Sequence, residues 1–152
     1  MRGIAVVPIG AADDEVLSAV EGAVAAAFGR DVARLSPIPE PAGAFDAGRG
    51  QWSAPEMLKA LLPSRPSGTE RVLGVTARDL FVPVLSFVFG QAQMDGPAAV
   101  ISLARISQAF SGLPEDRPLL LARARKEAVH ELGHTFGLVH CPDPSCPMSL
   151  ST

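Results

Sequence analysis

A mixed sheet with helices packed against it, an α+β (α/β-like) arrangement, is what this sequence predicts. Three observations carry the prediction. Apolar, Val- and Ile-rich runs of strand length recur at Gly3–Ile9, Arg71–Thr76 and Ala98–Leu103. Helical segments marked by capping residues alternate with them. The chain of 152 residues, 47% hydrophobic and 19% charged, suits one domain around one core and excludes disorder as the main state.

Taken in order, Gly3 to Ile9 reads as a buried first strand. Asp13 is placed to cap a helix from Asp14 to about Phe28, with an apolar stripe of Val16, Val20, Val24 and Ala27 and a stop at Gly29. Val32 to Leu35 forms a second strand, and the Pro and Gly density from Ser36 to Gly50 an extended loop. Ser53 and Glu56 have capping-box spacing, which predicts a helix from Ala54 to Leu62, ended before Pro63 and followed by a loop to Gly68. Three strands follow, Arg71–Thr76, Ser86–Gln93 and Ala98–Leu103, the last two separated by a turn containing Gly96 and Pro97. After a loop from Ser107 to Arg117, Pro118 opens a long helix that ends where Gly137 permits a left-handed turn. Trp52 and the phenylalanines are expected in the core.

Composition narrows the partners. The net charge is -3 with a pI near 5.5, and no block of Lys and Arg could track a phosphate backbone, so nucleic acid is not an expected partner. The N-terminal apolar run is interrupted by Pro8 and ended by Asp13 and Asp14, which is not the pattern of a secretory signal. No stretch reaches the roughly 18 apolar residues that span a bilayer. A cytoplasmic monomer without membrane contact is the expectation. The two cysteines, Cys141 and Cys146, are too few for a disulfide scaffold, and their place beside the histidines suggests a local role.

All 3 histidines fall within HELGHTFGLVHC, from His130 to Cys141. His130 and His134 share one face of the long helix, one turn apart, where both imidazoles can grip a single ion. Gly137 lets the chain reverse, so that His140 returns to the same ion. Three neutral imidazoles favour Zn and leave a fourth position for water, the arrangement of catalytic zinc. Zinc lowers the pKa of its bound water to around 7. Glu131, beside the first ligand, is then placed to face that water and act as general base in hydrolysis of a peptide bond.

The pattern extended through Gly137 and His140, with Met148 eight residues further on, matches the metzincin signature and its Met-turn. More narrowly, HELGHTFGLVHCPDPSCPM resembles the archaemetzincin (archaelysin) family of zinc metallopeptidases, in which the third histidine is followed by a cysteine, four residues, a second cysteine, any residue and the methionine. The stretches GVTARDLFVPVLSFVFGQAQ and AVISLAR resemble that family too, so the likeness runs from about Arg71 onward. It implies a metzincin-type mixed five-stranded sheet with a backing helix and an active-site helix. It further implies a single catalytic domain over 1–152, with an upper subdomain of about 1–137, a minimal lower one of about 138–152 and a cleft between them. Met148 would be the apolar floor beneath the metal, and Phe87, Val88, Phe89, Gly90 and Gln91 an antiparallel edge strand that pairs with substrate.

In the family the two cysteines join a downstream CxxC pair around a second, structural zinc, but this sequence stops at Thr152. The expectation is one catalytic Zn per chain, with Cys141 and Cys146 as thiols, a local disulfide or half of a site shared between protomers. The chain has no tyrosine, so charge on a developing oxyanion falls to zinc or another donor. Arg105, Glu127 and Asp79 are placed either to orient a ligand histidine or to serve as solvated or helix-pairing charges. The reading is a zinc peptidase acting on peptide or protein substrates. A catalytically weak or inactive zinc-containing peptide-binding module of the same fold is the alternative.

Overall fold

A computed structural model describes residues 3–149. Strand β1 (Gly3–Ile9) leads into helix α1 (Asp14–Phe28), followed by β2 (Asp31–Arg34), β3 (Phe45–Asp46), β4 (Gln51–Ser53), α2 (Ala54–Leu61), β5 (Arg71–Thr76), β6 (Leu80–Val82), β7 (Leu85–Val88), β8 (Gly90–Ala92), β9 (Ala98–Ser102) and α3 (Arg117–Thr135). Single 3-10 turns lie at Ala42–Ala44, Leu62–Ser64 and Gln108–Ser111.

Five strands form the main sheet in the order β2-β1-β5-β9-β8. The first four are parallel and β8 runs antiparallel along the edge. Every residue of β1 and β9 is buried, as expected of parallel strands covered on both faces. On one face, Ile4, Val6, Leu73, Val75 and Ile101 pack against Val16, Val20 and Val24 of α1 and Leu120, Ala124, Ala128 and Leu132 of α3. On the other, Ala5, Val7, Val72 and Val100 meet Met57, Leu58 and Leu61 of α2. Burying each large aliphatic side chain contributes about 1.5–3 kcal/mol.

Asp13 caps α1 as its sequence position requires, its carboxylate accepting from the N–H groups of Glu15 and Val16. Ser53 likewise accepts from Glu56 N–H at the start of α2. Pro118 stands in the first turn of α3, which the Asp116 carboxylate caps.

Several expectations need correction. The loop from Ser36 to Gly50 carries β3, and a second, four-stranded sheet in the order β3-β4-β6-β7 lies outside the predicted set. Its strands run from two to four residues, too short for alternation to register. The single strand expected at Ser86–Gln93 is two strands in different sheets. Phe87 and Val88 fold back over Pro83 and Val84 to pair with β6, and Gly90 to Ala92 pair with β9. Gly90 permits the switch, because a Cβ there would lie 2.6 Å from the Val100 carbonyl oxygen. On α1 the buried stripe is completed by Leu17, and Ala27 faces solvent. Phe45 and Phe110 are exposed rather than core, and Trp52 is half-buried beside Phe45. No helix among the described residues is long and apolar enough to cross a membrane.

Candidate metal centre

Helix α3 crosses beneath β8 and β9 and brings His130 and His134 to the cleft. Its end is shaped by hydrogen bonds. Gly137 N–H donates to the His134 carbonyl and Leu138 N–H to that of Gly133, the paired bonds of a Schellman motif with Gly137 left-handed at φ 88°. Asp95 N–H, from the β8–β9 turn, also donates to the His134 carbonyl at 3.1 Å. The reversed chain then carries His140 back toward the helix. The three imidazole centroids stand 4.8, 5.2 and 4.9 Å apart, and one ring nitrogen from each lies within 4.8 Å of the others.

Two backbone carbonyls set the tautomers. His130 Nδ1 lies 2.9 Å from the Pro147 oxygen and His134 Nδ1 2.8 Å from the Leu138 oxygen. A carbonyl only accepts, so each Nδ1 carries its proton and each Nε2 presents a lone pair. These two Nε2 atoms face each other at 3.2 Å. Two lone pairs cannot hydrogen-bond to each other. A shared cation resolves the arrangement, so this donor set fits a zinc ion with three nitrogen ligands.

Electrostatics favour the ligand state. Burial first, then the field of His134 and Lys126, holds the His130 pKa below the ordinary histidine value, against the bond to Pro147. Burial and the other two imidazoles do the same for His140. Neutral imidazoles are the form that binds metal. Glu131 is buried at 7% exposure, and burial, with the Glu127 charge second, pushes its carboxyl up to about 8. A doubly charged cation beside it acts in the opposite direction and favours the carboxylate.

Glu131 lies against the edge strand. Its Oε2 is 3.2 Å from where a Gly90 Cβ would stand. Met148 is buried below α3, where its sulfur occupies the space a Gly133 side chain would need, between the two helical ligands. Cys141 N–H donates to the Met148 carbonyl at 2.9 Å, tying the segment after the third histidine to the methionine turn. Both cysteines are half-buried free thiols.

Neither Arg105 nor Asp79 bonds a ligand histidine. Arg105 Nε and Nη2 grip both Asp79 oxygens at 2.9 Å, and Asp79 also accepts from Gln51 Nε2. Glu127 is buried beside Glu131 rather than solvated. Sequence reasoning placed Gly90 on the edge strand without its close approach to Glu131, and named neither Gly133 nor the carbonyls of Leu138 and Pro147. Glycine inside a helix costs about 1 kcal/mol against alanine, so Gly133 was the one signal available.

A cleft of about 900 Å3 opens at His140 and runs between α3, Phe89, Arg105 and the segment Cys141–Pro144. A mixed sheet carrying three convergent imidazoles and an adjacent carboxylate above such a cleft belongs to the zinc metallopeptidases. Residues 64–152 match peptidase family M54. The archaemetzincin of Methanocaldococcus jannaschii is 40% identical over 148 residues, spanning 97% of this chain and 80% of that protein. The crystal structure of archaemetzincin from Methanopyrus kandleri superposes with a TM-score of 0.85 at 38% identity, over 100% of this chain and 82% of the other. A zinc-dependent peptidase from Methanocorpusculum labreanum gives 0.86 at 29% identity, over 97% and 87%. The chain therefore belongs to peptidase family M54, the family of the archaemetzincins.

Proposed function

We propose that this zinc peptidase cleaves peptide bonds with Glu131 as general base. The observation that carries the proposal is the Glu131 carboxylate, buried on the helical turn that bears His130 and His134 and set against Gly90 of the edge strand. Zinc held by His130, His134 and His140 supplies Lewis acidity toward the peptide carbonyl and makes hydroxide available near neutral pH. Glu131 accepts the proton of the attacking water and passes it to the leaving amine. Strand β8 is the free edge of the main sheet, and Gly90 and Gln91 offer their backbone to an extended peptide laid beside it. Phe87 and Val88, bound in the other sheet, flank that strand rather than extend it. Met148 closes the floor under the helical ligands.

Zinc content and peptide cleavage measured together test the assignment. Glu131→Gln is expected to keep one zinc per chain and lose about 10²- to 10⁴-fold in cleavage rate, whereas His140→Ala is expected to lose the metal. Equal cleavage by wild type and Glu131→Gln removes Glu131 from the reaction.

A further inference from the structure

The cleft beside His140 has an electrostatic character at odds with the rest of the chain. The protein carries a net charge of -3, yet Arg105, Arg123 and Lys126 line this cleft against Glu127 alone among the acidic residues. The three cations are not equivalent. Arg105 is committed to Asp79 through two hydrogen bonds and lies over the rings of Phe87 at 4.1 Å and Phe110 at 4.7 Å, so it forms a fixed wall. Arg123 spends one nitrogen on the Ile106 carbonyl at 2.9 Å. Among the described residues neither Arg123 nor Lys126 forms an ion pair.

Their spacing along α3 puts this charge close to the helical metal ligands. Lys126 precedes His130 by four residues and Arg123 by seven, which at about 1.5 Å per residue places them roughly 6 and 10 Å along the helix axis from the first ligand. One extended peptide residue spans about 3.3 Å, so the two positions lie within about three residues' reach of the first ligand. Glu127 carries the charge that acts on Glu131.

We infer that Arg123 and Lys126 make this cleft a receptor for an acidic side chain, so that the enzyme selects peptides with Asp or Glu within a few residues of the scissile bond. This rests on the peptidase reading of the same centre. Selection arises because a carboxylate entering the cleft meets two cations that form no ion pair among the described residues, whereas an uncharged isostere leaves them as they were. Arg105, its fork already filled by Asp79, shapes the wall and does not receive the substrate.

The test uses binding as well as turnover. Zinc-loaded Glu131→Gln protein is titrated calorimetrically with blocked hexapeptides Ala-Ala-Leu-Glu-Ala-Ala and Ala-Ala-Leu-Gln-Ala-Ala, and with the Gln peptide bearing a free C-terminus. The Glu peptide is expected to bind about tenfold more tightly than the blocked Gln peptide in dilute buffer, with the advantage reduced at about 1 M salt. Arg123→Glu/Lys126→Glu is expected to abolish or reverse that ratio while retaining one zinc per chain. Equal affinity for the Glu and Gln peptides, or an unchanged ratio in the double variant, overturns the inference. So does a gain confined to the free C-terminus, which would make the cleft a terminal-carboxylate site. Because the titration needs no turnover, it reports on the cleft even where Glu131 proves not to be the base. Mass-spectrometric mapping of wild-type cleavage products should find Glu enriched within about three residues of the cut bonds, and an equal occurrence of Gln there also overturns it.

Discussion

Single side chains decide whether this centre can assemble, and the glycines show it most clearly. At Gly133 a Cβ would drive into the Met148 sulfur, so Gly133→Ala is expected to lower stability by about 1–3 kcal/mol through overpacking. Gly22 has nothing within 4 Å and is exposed on α1, so Gly22→Ala is expected to raise stability by about 0.5–1 kcal/mol. Thermal unfolding of the zinc-loaded proteins should move Tm in opposite directions, and the same direction for both would refute the contact under the ligands. Gly137→Ala adds a strained left-handed residue and a collision 2.7 Å from Asp95 Oδ1, and should weaken zinc binding measured by chelator competition. At this scale the ligands were legible, because four-residue helical spacing and a chain-reversing glycine are sequence properties. The carbonyls of Pro147 and Leu138 that orient the rings were not, because any residue type supplies a carbonyl.

Among the elements, α1 and α3 must hold their relative position for the histidines to meet the sheet edge. Besides their shared apolar face, Asp13 links them, capping α1 while accepting from Arg117 Nη1 at 2.7 Å. Loss of the cap in Asp13→Ala should cost about 1 kcal/mol, or about 2–4 °C in Tm for a domain of this size. Asp13→Asn keeps an oxygen for the cap and removes the charge. The Arg117 guanidinium, ahead of the opposing effect of burial, holds the Asp13 carboxyl below its ordinary 3.8. A depressed folded-state pKa contributes stability above the unfolded value that disappears as pH falls through the folded one. The gap between wild type and Asp13→Asn should therefore be constant from pH 7 to 5 and close below 3.8. A gap that widens in acid would contradict the pairing. The long elements were legible from periodicity and caps. The second sheet was not, since β3, β4 and β6 depend on tertiary partners rather than on pattern.

For the whole molecule, metal and fold are coupled unevenly. β1, β5 and β9 are closed in a core that involves no ligand, whereas the segment from Leu138 to Ser149 is fastened by the Cys141–Met148 backbone bond and by His130 on Pro147. Zinc at about a thousandfold excess over its Kd adds roughly 4 kcal/mol to a folded state that alone binds it. Chelation should lower Tm accordingly and speed amide exchange at residues 138–149 while β1, β5 and β9 stay protected. Uniform loss of protection would mean that the sheet itself depends on the ion. A mixed sheet with helices packed against it follows from the apolar runs, whereas the strand order, left open by the long connection from β2 to β5, does not. The crossing of the chain between two sheets at Phe89 and Gly90 does not, because it depends on a close approach to the Val100 carbonyl that no local pattern encodes.

X-ray absorption at the zinc edge of the metal-loaded chain addresses the centre most directly. One zinc per chain with three imidazole nitrogens at about 2.0–2.1 Å, and no bound zinc in His140→Ala, is the expected result. A sulfur shell at about 2.3 Å, lost on replacing Cys141 or Cys146, would place the metal on the thiols and contradict the three-histidine centre.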